Sequence, residues 1–135
     1  MQRLNPSTMA PPVMDLYSQI VVSPAGARLA AISGQVAIDG EGALIGPGSH
    51  AKQARQCVLN IRLALDAIGA EPSDILQMRI HVVDHLPARI EEIFGAGRDI
   101  FGEDWPLCAS TYVGVACLGL PEWLVEIDAV VALPQ

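Results

Sequence analysis

From residue 49 onward the apolar positions recur in alternating steps of three and four: Ala51, Ala54, Val58, Ile61, Leu65 and Ile68. That spacing predicts one buried face of an amphipathic helix. Ser49 is placed to cap its start and Gly69 to end it. After the connector Pro72-Ser73-Asp74 the period falls to two, with Leu76, Met78, Ile80 and Val82 alternating with Gln77, Arg79 and His81, the pattern of a strand. Pro87 suits the first position of a second helix, because its missing N–H is not needed there. Ile90, Ile93, Phe94, Gly97, Ile100 and Phe101 mark the buried side of that helix, and Gly102 its stop. Residues 109–116 and 124–131 return to strand character. Upstream, residues 17–22 and 27–33 are apolar runs separated by Ser23-Pro24-Ala25-Gly26, which predicts an antiparallel hairpin. Residues 5–12 read as an irregular lead-in and residues 39–48 as a turn-rich connection.

The resulting order, β-β-α-β-α-β-β, is that of an α+β fold with a mixed sheet and two helices on one face. All 135 residues are expected in one domain, 1–135. Two helices cover only one side of a sheet of five or six strands, so the other side must meet water, a ligand or another chain. Val113, Val115, Val125, Ile127, Ala129 and Val131 on the last two strands favour self-association, and closed symmetry is its usual form. Because hydrophobic residues make up 51% of the chain and aromatics only 4%, the core must be aliphatic.

Charge narrows the function classes. A net charge of -7, with eight Lys and Arg that form no run, opposes nucleic-acid binding and attachment to an anionic membrane surface. No apolar stretch reaches the roughly 20 residues of a membrane helix, and the first ten residues lack a signal-peptide apolar core, so the default expectation is a cytoplasmic protein. Cys57, Cys108 and Cys117 are odd in number and show no metal-binding spacing, so reduced thiols are expected. His81 and His85 lie on a strand and its exit, and Asp84 alone does not complete a metal site. No cofactor and no metal are expected. The glycines of residues 40–48 do not form a phosphate loop.

Five fragments in this order carry a resemblance: Tyr17-Ser18-Gln19, Ser33-Gly34-Gln35, Gln53-Ala54-Arg55-Gln56, Val113-x-Val115-Ala116 and Val125-Glu126-Ile127-Asp128-Ala129. Over nearly its whole length the chain resembles the RidA/YjgF family, also described as endoribonuclease L-PSP. The resemblance implies a chorismate-mutase-like fold and a homotrimer with clefts between neighbouring subunits. In the best-studied branch those clefts hydrolyse imines or enamines such as 2-iminobutanoate. There, an arginine in a Pro-Ala-Arg-[Ser/Thr] motif holds the substrate carboxylate, and a glutamate on the last strand handles water.

Carried over by position, the resemblance makes Glu126 the catalytic candidate and places Tyr17, Ser33 and Gly34 in the pocket, with Tyr112 added to the ligand-lining set. The family arginine falls on Ser110, and the motif's proline on Cys108. An Arg–carboxylate contact contributes roughly 1.5–3 kcal/mol per charge-assisted hydrogen bond. A serine supplies one neutral bond, so a small anionic 2-imino acid should bind poorly. Arg79, Arg89 and Arg98 are possible substitutes, Arg79 the best placed. By residue type alone, Glu126 also reads as a solvated residue on the outer face of an edge strand, Asp128 as its ion-paired neighbour, and Trp105 and Trp123 as packing residues. The partner expected is a small-molecule metabolite. An imine or enamine hydrolase and a non-catalytic metabolite-binding trimer both stay open, while a translation-inhibiting ribonuclease conflicts with the acidic charge.

Overall fold

The computed structural model describes all 135 residues. Its strands are β1 (Gln2–Leu4), β2 (Ile20–Val22), β3 (Leu29–Gln35), β4 (Ile75–Val83), β5 (Ala109–Val115) and β6 (Val125–Ala132), and its helices α1 (His50–Ala67) and α2 (Arg89–Phe101). Four strands form a mixed sheet in the order β3-β6-β4-β5. Strand β4 runs antiparallel to β6 and parallel to β5. A parallel neighbour needs a crossover, which α2 supplies. The chain is thus α+β, with a mixed sheet whose buried face carries both helices.

The expected hairpin of residues 17–22 and 27–33 does not form. Strand β2 pairs with β1 in a separate two-stranded ribbon, and β3 pairs with β6. The turn itself closes, with Gly26 at φ 74° and the Ala27 N–H on the Pro24 carbonyl. The ladder goes to the longer partner: β6 lets Ala30 and Ile32 align with Val131 and Ala129 on the core side. The main sheet therefore has four strands, not five or six.

Burial follows the period of two on the inner strands. Val125, Ile127, Ala129 and Val131 of β6 and Met78, Ile80 and Val82 of β4 are buried, whereas Glu126, Asp128, Gln77, Arg79 and His81 point to the open face. Leu76, expected among the buried residues, is only partly covered, because the register shifts between Ile75 and Gln77 and Ile75 enters the core instead.

Helix α1 starts after Ser49, whose side chain accepts the Lys52 N–H at 3.2 Å, and Gly69 follows its end at φ 66°. Helix α2 starts at Arg89, two residues later than expected. Pro87 lies in the turn before it, where its carbonyl accepts the Ile90 N–H. Gly102 ends this helix at φ 55°. No helix is long and apolar enough to cross a membrane.

Gln53 extends the buried face of α1 beyond its apolar residues. Its amide nitrogen donates to the Glu122 carbonyl at 3.0 Å and the Gly46 carbonyl at 3.3 Å, and its oxygen accepts the Leu124 N–H at 2.9 Å. It thus anchors both the turn before α1 and the loop before β6. Gln53→Ala would leave these backbone groups unpaired beside a cavity and is expected to cost about 2–4 kcal/mol in urea unfolding. A loss below about 1 kcal/mol would show that the loops hold without it.

Candidate functional site

Tyr17 lies before β2 rather than within it, and its neighbours fix its place. The Trp105 indole N–H donates to the Leu16 carbonyl at 3.0 Å. The Ser18 N–H donates to the Cys108 carbonyl at 3.0 Å, and the Ser18 hydroxyl to the Leu107 carbonyl at 2.7 Å. The segment is thereby clamped to the loop that leads into β5. Trp105 itself packs against Phe94 and Phe101, over Gly97, where a Cβ would come within 2.8 Å of the indole.

Tyr17 forms one wall of a cleft of about 420 Å³ together with Val13 and Leu16. Ile90 and Phe94 of α2 form another, and Ser110, Tyr112 and His85 line the rest. Ser110 stands beside the buried Met78, and Tyr112 beside the buried Ile80, so both face the helical side of the sheet. The Tyr112 ring stacks on Phe94 with centroids 5.9 Å apart, and its hydroxyl lies 3.2 Å from His85 Nδ1. Burial pushes the Tyr112 phenol up to about 12, with Glu92 adding to the shift and the Arg89 guanidinium opposing it. The phenol is therefore a neutral hydrogen-bonding group at any ordinary pH.

Ser33, Gly34 and Glu126 form a second group on the open face. Glu126 pairs in register with His81, whose Nδ1 is 3.1 Å from the Glu126 backbone carbonyl. The register shift between Ile32 and Gln35 marks a bulge at Ser33 and Gly34. A Cβ on Gly34 would sit 2.6 Å from Glu126 Oε1, so the glycine makes room for the carboxylate. Strand β6 lies between β3 and β4, so Glu126 belongs to an inner strand and not an edge. Tyr17, Ser110 and Tyr112 are brought together in one cleft, whereas Ser33, Gly34 and Glu126 lie outside it on the opposite face.

No arginine lines the cleft. Arg79 faces the open side and pairs with Asp128 at 2.8 Å. Arg89 donates to the Asp84 carbonyl and to His50 Nδ1, both at 2.9 Å. His50 Nε2 lies 2.7 Å from the Val83 carbonyl, an arrangement that suits the neutral imidazole with its proton on Nε2. Arg98 is exposed and lies away from the cleft. Cys57 and Cys108 are buried, and burial raises both thiols, Cys57 to about 12, which leaves them as core residues. No group of three or more His, Cys, Asp or Glu side chains gathers at one place to hold a metal.

Sequence reasoning missed His85, Ile90 and Phe94 as cleft residues. Gly114 is the signal that was available. It lies within β5, and a Cβ there would approach the His85 Cβ to 3.1 Å; a glycine inside a strand often marks such an approach.

A family model described as Endoribonuclease L-PSP matches residues 7–133. The chain is similar to a RutC family protein of Pyrococcus horikoshii, with 29% identity over 123 residues and 90% of each chain covered. Among solved structures it resembles the Rid family protein YyfB of Yersinia pestis, a protein of unknown function, at 36% identity, TM-score 0.86 and 98% coverage of both chains. It also resembles the YjgF gene product of E. coli at 26% identity and TM-score 0.67, with 91% of this chain and 92% of that one covered. The chain belongs to the RidA/YjgF family, and its architecture is the chorismate-mutase-like fold of that family.

Alkaline titration followed by tyrosinate absorbance tests the packing around Tyr112. A late step near about 12 is expected in the wild type and should disappear in Tyr112→Phe. Because the folded phenol's value is raised, its contribution to stability is present below the unfolded value of about 10 and is lost as pH rises through the folded one. A wild type without the late step would place the phenol in solvent.

Proposed function

We propose that this protein is a Rid-type hydrolase of a small imine or enamine, acting in a cleft completed by a second copy of the chain. The supporting observation is the separation of its parts. Glu126 and Gly34 lie on one face of the sheet, while Tyr17, Ser110 and Tyr112 line a cleft on the other. Such groups act on one molecule only when different copies supply them. The homotrimer implied by the family resemblance is the assembly proposed.

In this reading the Glu126 carboxylate takes a proton from water as the water oxygen attacks the C=N carbon, giving a carbinolamine. Glu126 returns that proton to nitrogen to complete the neutral carbinolamine, then carries the carbinolamine's hydroxyl proton to nitrogen as the C–N bond breaks, releasing the amine or ammonia and leaving a carbonyl. The substrate differs from the usual 2-imino acid, since Ser110 offers no charge and no guanidinium lines the cleft. Metabolite binding without turnover is the second reading, favoured by the lack of any carboxylate in the cleft of one chain. A ribonuclease role is opposed by the net charge of -7.

The test is hydrolysis of imines generated continuously by an amino-acid or amine oxidase, with light scattering to establish the mass. Wild type is expected to be trimeric and active on a carboxylate-free imine, and Glu126→Gln to lose at least about 100-fold in rate. Ser110→Arg should gain activity on 2-imino acids. A monomeric mass would remove the shared cleft, and activity unaltered in Glu126→Gln would remove the carboxylate's role.

A further inference from the structure

We infer that the cleft binds an uncharged ligand whose compact apolar body rests against Phe94 and Leu16 and whose planar polar group is held by the His85–Tyr112 pair. Naming that ligand as a neutral imine, formed by oxidation of an apolar amine, rests on the function proposed above; the binding preference does not.

The cleft's polar groups are few: the hydroxyls of Tyr17, Ser110 and Tyr112 and the His85 imidazole. No carboxylate, ammonium or guanidinium lines it. The Tyr17 oxygen already accepts the Val13 N–H at 3.3 Å, and Ser110 Oγ lies 3.5 Å from Cys108 Sγ. The His85–Tyr112 pair is the most firmly oriented of these groups. The rings meet edge to face at 5.1 Å, the Tyr112 hydroxyl engages His85 Nδ1 at 3.2 Å, and Phe94 stacks on Tyr112.

When Tyr112 O–H donates to Nδ1, the proton of the neutral imidazole sits on Nε2, which has no partner in the protein. An sp² nitrogen or oxygen of a ligand satisfies that donor. A carboxylate could do so too, but it would lose its hydration with no lysine or arginine among the lining residues to pair with it. The volume of about 420 Å³ matches a single small molecule.

Benzamide and benzoate share this shape and differ in charge, so they serve as probes. Titrations by calorimetry and by NMR of ¹⁵N-histidine-labelled protein are expected to show benzamide binding and a shift of the His85 Nε2 signal. Benzoate should bind at least about tenfold more weakly. Tyr112→Phe, which keeps the ring packing, and His85→Leu should each weaken benzamide by about 3- to 10-fold. Three results would overturn the inference: benzoate binding as well as benzamide, benzamide binding unaffected by both substitutions, or no benzamide binding up to about 10 mM. Since binding is read without turnover, the expected titrations together with an inactive wild type would reject the hydrolase reading alone.

Discussion

Strand β6 is hydrogen-bonded along both edges, to β3 and to β4. Its side chains therefore have only two directions to take. Val125, Ile127, Ala129 and Val131 enter the core under the helices, and Glu126, Asp128 and Val130 take the other face. A slip of one residue would push two carboxylates into an aliphatic core, so register is specified more strongly here than anywhere else in the sheet. That register sets Glu126 against Gly34 and His81, and Asp128 against Arg79. The candidate catalytic group is thus held in place by the apolar residues on either side of it.

The cleft depends on side chain-to-backbone bonds rather than on a sheet. Met14 and Asp15 both adopt positive φ, 56° and 52°, an arrangement that costs non-glycine residues roughly 1–3 kcal/mol each. The segment is held there because Trp105 and Ser18 fasten its C-terminal side to the loop before β5. Trp105 in turn rests on Phe94, which stacks on Tyr112. One aromatic cluster therefore positions both the segment carrying Tyr17 and the ring that closes the cleft.

Both helices and the inner strands were legible because their burial follows a simple period, from Ala54 to Leu65 and from Met78 to Val82. The pairing of β3 was not, since local turn chemistry at residues 23–26 says nothing about a better partner a hundred residues away. Gln53 was also hidden: its amide satisfies backbone groups of two loops, and no periodicity announces that. The family resemblance nominated candidate site residues by position. It could not show that Ser110 and Glu126 face opposite sides of the sheet, which follows only from the pairing of β5 and β6 with β4.

The replacement of the family arginine by Ser110 fits its surroundings in this chain. A buried guanidinium requires partners for its donors, and the cleft walls formed by Leu16, Ile90 and Phe94 supply none. The arginines near the sheet already have theirs, Arg79 on Asp128 and Arg89 on Asp84 and His50. Loss of the cation and an apolar lining are consistent with each other, because each alone would disfavour a charged ligand and together they favour a neutral one. His85 and Tyr112 add a polar contact to that lining without adding a fixed charge.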